Sequence, residues 1–121
     1  QFVVEIAVVE TLAAESAATN LEINRLEYQR EFKAQFSVGD FSSLAALKTD
    51  AANTVFVANI LPNIFEANAA PLKAALMNCR AWALSGIPVA QAESFSTFLR
   101  SLEVGDFKTC EKEEWLIYES V

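Results

Sequence analysis

The sequence predicts an all-α fold, a compact bundle of about five to six helices of ordinary length, forming a single helical domain over residues 1–121. Three observations point there. Hydrophobic residues make up 53 % of the chain, above the roughly 45–50 % usual for globular domains, and alanine supplies much of the excess. Alanine is the best helix former and is depleted in strands. Only three glycines and three prolines are present, so turns are few, and two of the glycines stand in Gly-Asp pairs, at 39–40 and 105–106. In each pair the glycine suits the left-handed position after a helix and the aspartate suits the cap of the next one.

The first segment is the least decided. Val3, Val4, Ile6, Val8 and Val9 are β-branched, while Glu5, Glu10 and Glu15 recur every five residues. On a helix a step of five turns about 140°, which spreads the three acids around the axis. The segment therefore reads as a central helix with solvated ends, as an apolar surface meeting a second chain, or as a strand over the first ten residues. Phe2, Ile6 and Val9 are the residues through which it would self-associate.

From Asn20 to Ser37, Leu21, Tyr28, Phe32 and Phe36 fall at helical spacing, with Glu22, Arg25, Arg30, Glu31 and Lys33 on other faces. Phe41 to Leu61 puts Leu44, Leu47, Ala51, Val55 and Ala58 on one stripe. Pro71 to Ser85 does so with Leu72, Ala75, Leu76, Cys79 and Ala83, its proline fitting a first helical turn. Ser85-Gly86 and Pro88 read as a helix stop and restart. Val89 to Glu103 follows with Ala92, Phe95, Phe98, Leu99 and Leu102. Asp106 to Tyr118 is expected as a short last helix whose end, from Trp115, is alternatively extended. Phe32, Phe36 and Val38-Gly39-Asp40-Phe41 echo Phe98, Leu102 and Val104-Gly105-Asp106-Phe107, so the two corners are expected to look alike.

A formal net charge of −7 repels a nucleic-acid backbone, which excludes nucleic acid as a partner. The acids gather at the two ends. Segments 51–65 and 81–92 carry no charge, yet each is shorter than the roughly 20 apolar residues of a membrane span, so both read as core. The chain starts at Gln1 rather than methionine, which fits a secreted, extracellular product freed of its signal. Cys79 and Cys110, too far apart for a CxxC motif, are preferred as one structural disulfide over two buried thiols.

Catalytic machinery is hard to find. There is no histidine to act as base or metal ligand, and no GxSxG, GxGxxG or P-loop string, so no cofactor and no metal is expected. Glu111, Glu113 and Glu114 beside Trp115 could work as paired carboxylates, but a solvated acidic face is the simpler reading. What remains is aromatic mass among alanines. Phe32, Phe36, Phe56, Phe65, Trp82, Phe95 and Phe98 are expected to point inward, either as solid core or as the lining of a cavity, with Arg80 at its mouth. The leading expectation is thus a non-enzymatic, secreted helical carrier of a small hydrophobic molecule such as a fatty acid, pigment or pheromone-like ligand. The alternative is a structural or interaction protein that self-associates through its apolar N-terminal segment.

Overall fold

The two uncharged runs that alanine content assigns to helices are where the fold departs from expectation, because each contains a β-strand. The computed structural model describes residues 3–8, 15, 16, 18–20, 22, 23, 26, 33–38 and 50–121, the stretches 3–8 and 33–38 by their backbone. The architecture is mixed α/β, so the all-α bundle is corrected. Short apolar runs of four to eight residues bounded by turn residues suit a buried strand as well as a helix, and here tertiary pairing decided between them.

The chain divides into two compact units, Gln1–Ala46 and Leu47–Val121. In the first, strand β1 (Val3–Val8) pairs parallel with β2 (Lys33–Val38), Ile6 standing opposite Phe36. The β-branched run at the start is therefore a strand, the last of the three readings left open for it. Parallel strands need a crossover between them. Asn20, Glu22, Ile23 and Leu26 in that interval are helical, but the helix expected to reach Ser37 gives way to β2 at Lys33. Phe36 is consequently a strand residue, whereas its counterpart in the sequence echo, Leu102, caps a helix, so the repeat does not hold. Phe2, Val9, Phe32 and the Gly39-Asp40 corner lie outside the described residues.

In the second unit a four-stranded sheet has the order β3-β4-β6-β5. Strand β3 (Val55–Asn59) is parallel to β4 (Ala81–Pro88), and β4 is antiparallel to β6 (Trp115–Ser120), which pairs with β5 (Phe107–Lys112). Between β3 and β4 run α1 (Pro62–Ala67) and α2 (Ala69–Met77), and α3 (Ala92–Ser101) follows β4. The expected helix 41–61 is thus replaced at its end by β3, the helix 71–85 stops at Met77, and the last helix is the β5–β6 hairpin. Asn78 closes α2, its side-chain amide donating to the Ala74 carbonyl at 2.8 Å. The helix expected at 89–103 occupies 92–101. Gly105 does take a positive φ of 92°, but it joins α3 to a strand, and Asp106 caps no helix.

Pairs opposite one another in the ladders share a face. Phe56 faces Trp82, Leu84 faces Tyr118 and Ile87 faces Leu116, and this is the side that the helices cover. Trp82, Leu84, Ile87, Leu116 and Tyr118 are buried there together with Phe65 of α1, Leu72 and Leu76 of α2, and Phe95 and Leu99 of α3. The ring of Phe95 lies 5.6 Å from Phe65 and meets Tyr118 edge-on at 5.1 Å. On the other side Val55 and Val57 are 61 % and 70 % exposed.

Candidate functional site

In an open α/β sheet, ligands bind beyond the carboxyl ends of the parallel strands, where loops leave the sheet and backbone groups lose their ladder partners. In the second unit those ends are Asn59 and the Ser85–Pro88 stretch. Asn59 stands opposite Ser85, and the ladder continues one residue further, where the Ile60 N–H donates to the Ser85 carbonyl at 3.2 Å. Leu61 is extended and Pro62 opens α1, its fixed φ suited to a first turn and its missing N–H costing nothing there. Exposed Asn59 therefore stands where β3 gives way to a short loop and then a helix.

Strand β4 ends differently. Its register against β6 shifts between Leu84 and Ile87, a bulge in which Gly86 holds φ at 88°. A Cβ on Gly86 would overlap the Ile60 carbonyl oxygen and stand 2.9 Å from Asn59 Oδ1. Gly86 is thus needed both for its dihedral and for its lack of a side chain. The hairpin turn of β5 and β6 reaches the same end of the sheet, because Pro88 pairs with Trp115 and the Val89 N–H donates to the Glu114 carbonyl at 3.1 Å. Glu111, Glu113 and Glu114 are exposed on that hairpin, and Trp115 is 49 % exposed. The end of the sheet combines the Asn59 carboxamide, a close approach of two backbones, an acidic hairpin and a partly exposed indole.

The residues expected to line a cavity take other positions. Phe65, Trp82 and Phe95 are buried, Phe56 and Phe98 are half-buried, and Arg80 is exposed in the turn before β4. Phe36 is on β2, and Phe32 lies outside the described residues. Phe65, Phe95, Phe98 and Tyr118 form a chain of ring contacts with centroids 5.1–5.7 Å apart, the range of direct aromatic packing. A surface depression is lined by Glu15, Ser16, Thr19 and Asn20 and by none of those rings. Among the described residues no cluster of potential metal ligands occurs.

Cys79 and Cys110 are free thiols, which corrects the expected disulfide. Cys79 stands just before β4 and Cys110 on β5, and β6 lies between those strands. Two strand spacings of about 4.8 Å already exceed the roughly 7 Å Cα separation that a disulfide tolerates. Burial pushes the Cys79 thiol above its ordinary value, although the backbone N–H groups of Phe56 and Ala81 work against it by favouring the thiolate.

The sequence reading took Gly86 as part of a helix stop and did not place Asn59 at a strand end. Their signal was an uncharged run containing Asn-Ile-Leu-Pro and another containing Ser-Gly-Ile-Pro, each a strand followed by a break.

No family model and no curated protein sequence matches the chain. Among solved structures it is similar to a ribosomal protein L11 methylase from Lactobacillus delbrueckii subsp. bulgaricus, with a TM-score of 0.72 and 18 % sequence identity. The match covers 97 % of this chain and 56 % of that protein, so the chain spans little more than half the length of its structural neighbour. At that identity the likeness establishes the fold. It replaces the expected helical carrier, and the alternative of a structural protein held by its N-terminal segment, with an α/β fold of the kind found in a methylase. The expectation of a non-enzyme, drawn from the missing histidine and missing nucleotide-binding motifs, is not upheld either, since the fold is one found in a methylase.

Proposed function

We propose that the chain is part of a methyltransferase-like α/β domain and that the acceptor of the methyl group binds at the carboxyl ends of β3 and β4. The observation that carries this reading is the likeness to the methylase over 97 % of the chain, joined to the placement of Asn59 at the strand end where such folds bind ligands.

The residues present fit one half of the task. Of the glycines among the described residues, Gly86 and Gly105, neither belongs to a glycine-rich turn, so no part in holding a methyl donor is assigned to them. The donor supplies an electrophilic methyl group. The chain supplies the acceptor side: the Asn59 carboxamide oxygen accepts a hydrogen bond from an N–H or O–H of the acceptor and so orients its lone pair for attack. Exposed Glu113 and Glu114 on the hairpin at the same end of the sheet favour an acceptor that arrives as a cation over an anionic one, and such an acceptor gives up its proton to solvent water before its lone pair attacks.

Transfer of label from methyl-labelled S-adenosylmethionine to total ribosomal protein, catalysed by the full-length protein that carries this sequence, tests the proposal. Incorporation is expected, and Asn59→Ala should lower kcat/KM by about tenfold, the equivalent of one hydrogen bond of roughly 1.4 kcal/mol. Absence of incorporation with wild-type protein overturns it.

A further inference from the structure

We infer that Gly86 is a positioning residue, which sets the direction of the Asn59 side chain by letting the end of β3 lie directly against the bulge of β4. The inference rests on the reading of Asn59 as the acceptor-side group, but its geometry stands apart from it. Three observations converge on one position. Gly86 has a φ of 88°, it sits within the register shift between Leu84 and Ile87, and any Cβ there would collide with the Ile60 carbonyl oxygen and crowd Asn59 Oδ1 at 2.9 Å. The neighbouring Ile60 N–H to Ser85 carbonyl bond, at 3.2 Å, holds the two strand ends at this approach.

A glycine that serves only a turn needs the dihedral and not the space. Gly105 is such a case in the same unit: its φ is 92°, and a Cβ built on it meets nothing within 4 Å. The two glycines therefore separate conformational need from close approach. At Gly86 a side chain has to displace both the Ile60 carbonyl and the Asn59 carboxamide, and the carboxamide is the more mobile group.

Nuclear magnetic resonance of Gly86→Ala and Gly105→Ala, compared with wild type, tests this. Both variants pay for an alanine at positive φ. Only Gly86→Ala is expected to move the Asn59 side-chain amide signals and to speed exchange of the Ile60 N–H by tenfold or more. Asn59 signals unmoved in folded Gly86→Ala, or moved equally in Gly105→Ala, overturn the inference. Should Gly86→Ala fail to fold, the wild-type protein decides: a nuclear Overhauser effect between the Gly86 α protons and the Asn59 side-chain amide is expected, and its absence overturns the inference. In the transfer assay Gly86→Ala should lower kcat with KM little changed. Failure of methyl transfer in wild type, with the Asn59 signals still moved by Gly86→Ala, would sink the functional reading and leave the positioning role intact.

Discussion

The hydroxyl of Tyr118 donates to the backbone carbonyl of Ala92 at 3.0 Å, tying the middle of β6 to the first turn of α3. The same oxygen lies 2.9 Å from Ser96 Oγ, and Tyr118 is fully buried. A buried phenol has to find a partner, and here it finds two on one helix. Tyr118→Phe keeps the ring packed on Phe95 and removes both bonds, so unfolding stability should fall by about 1–2 kcal/mol. Ser96→Ala in the Tyr118→Phe background should cost less than it does alone, because the pair shares one interaction. Urea midpoints of the four proteins read both effects. Full additivity would show that the serine and the tyrosine do not act together.

Phe95 holds the centre of the aromatic cluster, in contact with Phe65, Phe98 and Tyr118. It is fully buried between α3 and the sheet. Truncation to alanine empties a site bounded by rigid rings that cannot collapse into it, with an expected loss of about 3–5 kcal/mol. Phe98→Ala, on the same helix but half-buried, should cost distinctly less. Thermal unfolding of the two variants compares them, and equal losses would contradict the placement of the core.

The helix bearing these rings was legible in the sequence because its signals agree. Phe95 and Leu99 recur at helical spacing, Glu93 stands in the first turn and Arg100 in the last, where the helix dipole favours each charge. Strands β3 and β4 were hidden by opposite circumstances. Trp82, Leu84 and Ile87 do not keep a period of two, since the bulge at Gly86 adds a residue, and Ala81 and Ala83 beside them favour helix by propensity alone. Asn59 could not be singled out at all, because its role follows from lying opposite Ser85, a partner 26 positions away across a parallel pair. Local pattern carries no information about which strand ends meet.

The thiols should behave as two independent groups. Reductant should leave the melting temperature unchanged, since no disulfide links Cys79 to Cys110. Exposed Cys110 should be alkylated first. Cys79, half-buried and held as the thiol by desolvation, should react slowly and gain rate as pH rises. The same shift has a stability sign. The folded thiol ionises at higher pH than the unfolded one, so its contribution is full below the ordinary thiol range and is lost as pH rises through the folded value. Mass spectrometry after timed alkylation, with peptide mapping, tests the order. Faster labelling of Cys79 than of Cys110 would contradict it.

The two outer strands of the four-stranded sheet are treated very differently by the sequence. β5 carries Lys108, Glu111 and Lys112, with Lys108 paired to Glu119 at 3.7 Å, the kind of charge that keeps an edge from recruiting another strand. β3 reads Val-Phe-Val-Ala-Asn, without charge, proline or bulge, and among the described residues β4 is the one strand bonded to it. Its valines at 55 and 57 are exposed. An edge of that composition is a template for strand addition. The purified chain should therefore self-associate with rising concentration, and Val57→Lys should shift it toward monomer while leaving the buried face, which Phe56 and Ala58 occupy, untouched. Sedimentation velocity over a hundredfold range of concentration measures this. A wild-type chain that sediments as a monomer throughout would mean that the edge of β3 is already covered, and Val57→Lys should then lower stability instead of lowering association.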